Sequence, residues 1–439
     1  MITLEKNGMI CENITRDSEG ELCFAGVKLS SLAKEYGTPL YLYDEERVRD
    51  RARTYLKSVK SAFGEGARVL YASKAASFKR LYEIAKEEGL GIDVVSVGEI
   101  YTAEMAGFPL EKAYFHSNNK TDYDIRYAIL RGVGCFVVDN AEELYAIEEI
   151  ASELSKKQRV LLRITPGIDP HTYAAVATGK VDSKFGSAIE TGQAEEMVKI
   201  ALSLPHIELR GFHCHVGSQI FDADVYLATS EVMLKFVADM EGRLGFTAKE
   251  LDIGGGLGVR YIEEQPTLDI EAVIGRVGEF MKKTAEELGI SLPSIALEPG
   301  RSIVADAGLT VYTVGTVKRI PGYKTYISVD GGMTDNPRFA LYGSPYTILP
   351  VFESESDRML CSVVGRCCES GDILQEGVSM REDIKRGDLL ACLTTGAYHY
   401  SMASNYNRIP RPPVVMIKNG ESYLAVRRET PEDIVKLDV

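Results

Sequence analysis

No uninterrupted apolar run in this chain of 439 residues approaches the roughly 20 residues that a membrane-spanning helix needs. The opening stretch, Met1-Ile2-Thr3-Leu4-Glu5-Lys6-Asn7, has no apolar signal core, so the cytoplasm is the expected compartment. The eight cysteines form no repeated C-x-x-C pairs of the zinc type. Free thiols in a reducing compartment fit that pattern, with room for one of them to be reactive. Low-complexity linkers and internal repeats are also missing. Positive charge is short. A net charge of -14 argues against nucleic acid or an anionic membrane as the main partner. It leaves open an anionic ligand held by a local arginine cluster.

What is present is enough apolar residue to build a large core, 45% of the chain, at a length that suggests two or three domains. From about residue 40 to 305, short apolar runs alternate with longer amphipathic stretches. The strand-like runs are 69–73, 92–95, 113–115, 135–138, 160–164, 209–213, 250–253 and 295–297. Helical patterns fall between them, among them 98–105, 122–131, 141–155, 188–202, 224–244 and 269–288. Alternating β and α units predict a parallel sheet with crossover helices. Eight units are the number that closes a (β/α)8 TIM barrel, with an open doubly wound sheet as the alternative. Polar residues and glycines that carry chemistry fall where these strands end, at Lys74, Asp93, His213 to Ser218, Gly254 to Gly256 and Glu298 to Arg301, and that favours the barrel. After about residue 305 the rhythm becomes all-β, with strands expected at 309–317, 324–329, 359–364, 389–393, 414–418 and 423–426. The expected division is a barrel over 37–306 and a β domain over 1–36 plus 307–439.

Lys74 ends the strand-like stretch Arg68-Val69-Leu70-Tyr71-Ala72-Ser73-Lys74. A lysine drawn into apolar surroundings is disfavoured as an ammonium ion. The neutral amine so obtained is what Schiff-base chemistry with an aldehyde cofactor requires. Gly254-Gly255-Gly256-Leu257-Gly258 follows a strand and lets backbone amides approach a phosphate, although the same cluster also suits a plain tight turn. It opens no helix with G-x-G-x-x-G, so one phosphate is expected rather than a dinucleotide. In Glu298-Pro299-Gly300-Arg301 a strand-end carboxylate can hold a ring nitrogen protonated while the glycine and arginine face a phosphate or carboxylate. His213 and His215 share a strand face and invite a metal reading. A closed metal site needs further ligands, and a flat imidazole stacked on an aromatic cofactor, with Ser218 on a phosphate, fits better; no metal is expected. Cys367 and Cys368 are too close in sequence to pair readily, so a buried thiol and its neighbour are expected there.

In their order, Tyr71-Ala72-Ser73-Lys74, the run 213–220, Asp252-Ile253-Gly254-Gly255-Gly256, Glu298-Pro299-Gly300-Arg301, the run 335–342, Cys368-Glu369-Ser370 and Gly396-Ala397-Tyr398 resemble the diaminopimelate decarboxylases. These are enzymes of pyridoxal 5'-phosphate in the alanine racemase-like barrel group that also contains ornithine decarboxylase. The resemblance spans nearly the whole chain. It implies that Lys74 carries the cofactor, that His215 stacks on its ring, and that Glu298 pairs with its pyridine nitrogen. Ser218, Gly256, Pro299, Gly300 and Arg301 would then lie on the cofactor side, with Tyr398 near the phosphate. Arg301, Arg338, Tyr342, Glu369 and Tyr398 resemble substrate contacts. Cys368 resembles the acid that protonates the product carbon from the partner subunit of a homodimer.

The implied reaction converts meso-2,6-diaminopimelate to L-lysine and carbon dioxide. Two arginines near a distal carboxylate favour that substrate over lysine or ornithine, which have none. The loop Asp169-Pro170-His171-Thr172-Tyr173 departs from the family, which usually has histidine where Tyr173 stands, while Thr178-Gly179-Lys180 and Ser183-Lys184-Phe185-Gly186 still match. That change bears on fine specificity. The competing readings are a decarboxylase of another basic or diacidic amino acid, of the ornithine, lysine or carboxynorspermidine type, and a non-catalytic cofactor-binding regulator.

Overall fold

The computed structural model describes residues 9–168 and 183–439. The chain forms two compact units, Arg51–Gly258 with Leu268–Ser302, and the described part of Met1–Asp50 with Val259–Thr267 and Ile303–Val439.

The first unit is a closed parallel barrel. Its strands in chain order are β1 (Arg68–Ala72), β2 (Gly91–Val94), β3 (Ala113–Phe115), β4 (Cys135–Val138), β5 (Gln158–Thr165), β6 (Ile207–His213), β7 (Glu250–Asp252) and β8 (Ser294–Leu297). Each pairs in parallel with the next, and β8 returns to β1, which closes the ring. These strands read as nearly continuous apolar runs because both faces are covered. Phe212 faces outward and meets Phe236 of the helical layer and Phe246 of the loop that follows it, at ring distances of 4.9 and 5.8 Å. Its neighbour His213 therefore points into the barrel. A layer of Leu70, Tyr114, Cys135, Val137 and Leu161 fills the interior below the carboxyl-terminal ends.

The crossover helices start and stop on short-range signals. Thr121 and Asp124 form a reciprocal capping box ahead of Asp122–Arg131, and Asn140 caps Ala141–Glu153 by accepting from Glu143 N. Left-handed glycines at 132, 245 and 289 end three of the helices.

The second unit is mostly β. Gly308–Ile320 is its axis and pairs with Leu40–Asp44, Lys324–Val329 and Leu389–Cys392. Val414–Lys418 joins the far edge of Leu40–Asp44 in parallel. A small antiparallel sheet of Ile14–Arg16, Leu22–Phe24 and Val27–Lys28 packs on this core through Ile14, Leu22 and Phe24.

All eight barrel strands expected from the sequence are present, so the open-sheet alternative falls. The expected start of the barrel at 37 lies ahead of Leu40–Asp44, which is a strand of the other unit's sheet. The helix expected over 188–202 begins later, at Gln193, because Ser187–Ala188 pairs with β5 and Gly192 turns left-handed with φ 80°. Ile373–Arg381 is a strand that the sequence pattern hid, since most of its side chains are not buried. Met1 to Asn7, Asp169 to Tyr173 and Thr178 to Lys180 lie outside the described residues.

Leu161→Ala should open a void in the barrel interior and cost about 3 kcal/mol, read as a fall in Tm of roughly 6–12 °C. Leu161→Met should stay within about 1.5 kcal/mol.

Candidate active site

Every barrel strand delivers an ionisable side chain within two residues of its carboxyl-terminal end: Lys74, Asp93, His116, Asp139, Arg163, His213, Asp252 and Glu298. An apolar layer thus lies under a titratable one.

Lys74 sits in the 3-10 turn Ser73–Ala75 directly after β1. Its Nζ donates to Asp93 Oδ2 at 3.2 Å, and its side chain is 43% exposed. The amine is therefore aimed by a carboxylate rather than dried by apolar walls, which corrects the desolvation argument made from the strand pattern. The turn is anchored below: Ser73 Oγ lies 2.7 Å from the Asp93 carbonyl and 2.8 Å from Glu99 Oε2, which also accepts from Val95 N at 2.7 Å. Burial pushes the Glu99 carboxyl up.

Glu298 is buried, and an imidazole meets each of its oxygens. His213 Nε2 lies 3.1 Å from Oε2 on a hydrogen-bond line. His116 Nε2 lies 2.7 Å from Oε1 but off that line, so Oε1 has no aligned partner in the protein. The two rings meet edge to face at 4.9 Å. Burial works against ionised Glu298, and attraction to His116 and His213 overrides it, holding the carboxyl well below the usual range. Asp252, also buried, goes the other way. Burial and the nearby Glu298 charge hold its carboxyl well above the ordinary value. Burial pushes His213 down to about 4, so its ring is neutral near pH 7.

The loops expected to face a phosphate are ones that only glycine permits. Gly254 has φ 70°, and a Cβ there would lie 2.8 Å from His215 Nδ1; Gly256 has φ 113°, and a Cβ there would lie 2.2 Å from the Gly217 carbonyl. The two loops are laced together by Ile220 N to Gly256 O at 3.0 Å and Gly258 N to Ile220 O at 2.9 Å. Arg301 Nε and Nη2 donate to Ser218 Oγ at 3.2 and 3.1 Å. Gly300 packs its bare Cα on Ala72, where a Cβ would meet Ala72 Cβ at 2.9 Å. The Pro299 carbonyl accepts from Ala72 N at 3.1 Å and ties this loop to the strand that ends at Lys74.

The β unit gathers its own group. The buried Arg338 guanidinium lies between two rings, with Cζ 4.8 Å from the Tyr342 centroid and 5.0 Å from that of Tyr398. Among the described residues no carboxylate pairs with Arg338, and its Nε has no hydrogen-bond partner. Tyr398 holds a left-handed backbone, φ 65°. Cys368 is exposed, its amide donating to Asn407 Oδ1 at 2.8 Å, and Glu369 beside it is exposed too, accepting from Gly371 N at 3.2 Å. Neither Cys367 nor Cys368 is in a disulfide, but the first is only partly buried, so the expectation of a fully buried thiol is not met.

The metal reading had paired His213 with His215. The structure instead groups His213 with His116 and Glu298, whose ligand atoms lie within 4.8 Å of one another. Pyridoxal phosphate asks for an amine, a flat face, a carboxylate for its ring nitrogen and a cradle for one phosphate. Lys74, the half-buried His215, the unaligned Oε1 of Glu298, and the Gly254–Gly256 loop with Ser218 and Arg301 meet those demands, so the residues present fit the group.

Sequence reasoning did not single out His116, Arg163 or Asp252. Asp252 lay inside a motif already quoted, His116 follows the apolar run of β3, and Arg163 interrupts that of β5.

His213 carries a pH signature. Its native value of about 4 lies below the unfolded 6.5, so between those values the unfolded state binds more protons. Stability should fall as pH drops from about 6.5 toward 4, by up to about 1.4 kcal/mol per pH unit from this residue. Thermal melts at pH 7 and pH 5 should show a smaller difference in His213→Asn than in the wild type.

Comparison with known proteins extends the likeness beyond the motifs. The model of the pyridoxal-dependent decarboxylase family, pyridoxal binding domain, matches residues 46–305. The diaminopimelate decarboxylase of Bacillus subtilis is 46% identical over 425 residues, covering 97% of this chain and 96% of that one. That of Corynebacterium efficiens is 42% identical over 432 residues, 97% of this chain and 93% of the relative. The crystal structure of the M. jannaschii diaminopimelate decarboxylase in complex with L-lysine superposes with a TM-score of 0.90 at 30% identity, over 98% of each chain. Similarity of this extent runs through both units and the whole ring of strands, and it makes this chain a member of the pyridoxal-dependent decarboxylase family.

Proposed function

We propose that this protein is a diaminopimelate decarboxylase, releasing carbon dioxide from meso-2,6-diaminopimelate to give L-lysine with pyridoxal 5'-phosphate carried on Lys74, the closing step of lysine biosynthesis. The observation that carries the substrate is Arg338, a buried guanidinium set between two tyrosine rings with no carboxylate of its own among the described residues. A buried cation without an anion is costly, and a substrate carboxylate supplies the missing partner. Lysine and ornithine bring no distal carboxylate.

When bound, the cofactor supplies a cationic pyridine ring that accepts the electron pair left as the carboxylate departs. Glu298 would keep the ring nitrogen protonated, while His116 and His213 hold the carboxylate in place. His215 would cover one face of the ring. Ser218, Gly256, Gly300 and Arg301 would orient the phosphate, and Tyr398 is assigned to it by the family motif. Asp93 aims the Lys74 amine. Arg301 and Arg338 would clamp the distal carboxylate and Glu369 would take the distal amine, with Tyr342 and Tyr398 as further substrate contacts. The Cys368 thiol then gives its proton to the carbon that lost carbon dioxide and recovers one from water.

The β unit would supply Cys368 and Glu369 across the interface of a homodimer, which makes the active sites shared. No described helix is long and apolar enough to cross a membrane. Eight free cysteines suit a reducing cytoplasm.

Carbon dioxide release from a panel of amino acids tests the substrate. Diaminopimelate should exceed lysine and ornithine by about a hundredfold or more in kcat/KM, and a preference for either of the others would reject the assignment. Lys74→Ala should lose both the cofactor absorbance and turnover. Mixing it with Cys368→Ala should restore up to about a quarter of wild-type activity if the sites are shared, and none if they are not. Glu298→Gln should lower kcat by about a hundredfold, whereas Asp252→Asn, which mimics a protonated carboxyl, should stay within about threefold.

A further inference from the structure

At the opposite end of the barrel from Lys74, a cavity of about 400 Å3 opens among the amino-terminal ends of the strands. Its volume is in the range of small-molecule sites, yet it lies under the apolar layer and shares no residue with the site described above. Leu56, Val69, Leu70 and Cys135 give it apolar wall, and eight of the lining residues are charged.

The charges do not cancel. Glu250 is closed to any further cation, because Oε2 lies 2.7 Å from Arg68 Nη1 and Oε1 accepts from the Tyr114 hydroxyl at 2.5 Å. Glu65 is engaged by Lys60 at 2.9 Å. Three other cations line the cavity with most of their donors uncommitted. Arg159 uses Nε on the Gly134 carbonyl at 3.0 Å, Arg210 uses Nη1 on Glu208 at 3.0 Å, and Lys112 has no ion-pair partner among the described residues. Glu111 is the one carboxylate of the lining not tied to a cation.

Arg210 owes its place to a distortion. The register of β6 against β5 slips between Leu209 and Gly211, so Arg210 is the inserted residue of a bulge. Gly211 makes this possible with φ 156° and no Cβ, since one there would lie 1.8 Å from the Glu250 carbonyl. Bulges re-aim side chains beside sites. This one leaves an arginine at the cavity next to the strand that begins with Gln158 and Arg159.

We propose that this end of the barrel is a second binding site, for a small multivalent anion of the carboxylate or phosphate class, clamped by Arg159 and Arg210 with Lys112 at the rim. Paired guanidiniums suit either group bidentately, and the engaged Glu250 forms a floor that does not compete.

Isothermal titration of the full-length, cofactor-loaded protein in dilute chloride buffer tests this, with inorganic phosphate and citrate as separate probes. The loaded cofactor keeps its own phosphate cradle filled. At least one probe should bind at one site per chain, and which one binds distinguishes a phosphate from a carboxylate ligand. The Arg159→Gln/Arg210→Gln double variant should bind about tenfold more weakly or worse, with the cofactor absorbance and turnover unchanged. Lys112→Gln, at an exposed position where folding is not at risk, should weaken binding about threefold and decides the matter if the double variant does not fold. Failure of both anions to bind at millimolar concentration overturns the proposal. So does binding that is undiminished in the variants, which would place the anion elsewhere.

Discussion

A carboxylate kept ionised inside a sealed barrel is the constraint to which the rest of the catalytic end answers. Left alone, Glu298 would take up a proton, because burial penalises charge by far more than a hydrogen bond returns. Two imidazoles oppose that, one at each oxygen, and the neighbouring Asp252 is pushed the other way. The polar layer thus biases its groups before any ligand arrives, Glu298 toward the charged form and Asp252 toward the neutral one. Preorganised charge of this kind would need no rearrangement to meet a cationic group.

The two ends of the barrel handle charge differently. At the carboxyl-terminal end, polar groups sit on strand ends and glycine loops, where the backbone can be brought close enough for a phosphate and no side chain intervenes. At the amino-terminal end, Glu250, Tyr114 and Arg68 form a closed triad, and the leftover charge is cationic. The apolar layer of Leu70, Val137 and Leu161 separates them. In a low-dielectric interior that layer keeps the two sets of charges from competing for the same protons and counter-ions.

The barrel was legible because a strand covered on both faces must be written in apolar residues, and the run of eight such stretches is hard to produce otherwise. Residues at the ends of those stretches, Lys74 and Glu298 among them, stood out for the same reason. His116, Arg163 and Asp252 did not, because each becomes significant only when the ring closes and brings strands distant in sequence side by side. The inference about Lys74 failed in its cause. A strand that ends in a lysine says nothing of what faces the amine, and here Asp93, from the next strand, does. In the β unit, Ile373–Arg381 was invisible because an edge strand of mixed exposure has neither a continuous apolar run nor a clean alternation.

Arg338 shows how the proposed selectivity could arise from repulsion as much as attraction. Stacking between Tyr342 and Tyr398 fixes the guanidinium plane before binding, so little side-chain entropy remains to be lost when a carboxylate docks. A chain ending in an ammonium group without a carboxylate, as in lysine or ornithine, would bring a second cation toward a buried one and no anion for it, since Glu369, proposed for the distal amine, is exposed and does not pair with Arg338. Like charges juxtaposed in a dry pocket cost several kcal/mol, on the order of what separates a good substrate from a rejected one. If the carboxylate lost is the one at the cofactor's end, the distal carboxylate stays on the arginine, so under the proposed assignment the product is held until that contact breaks, and discrimination acts on entry rather than on exit.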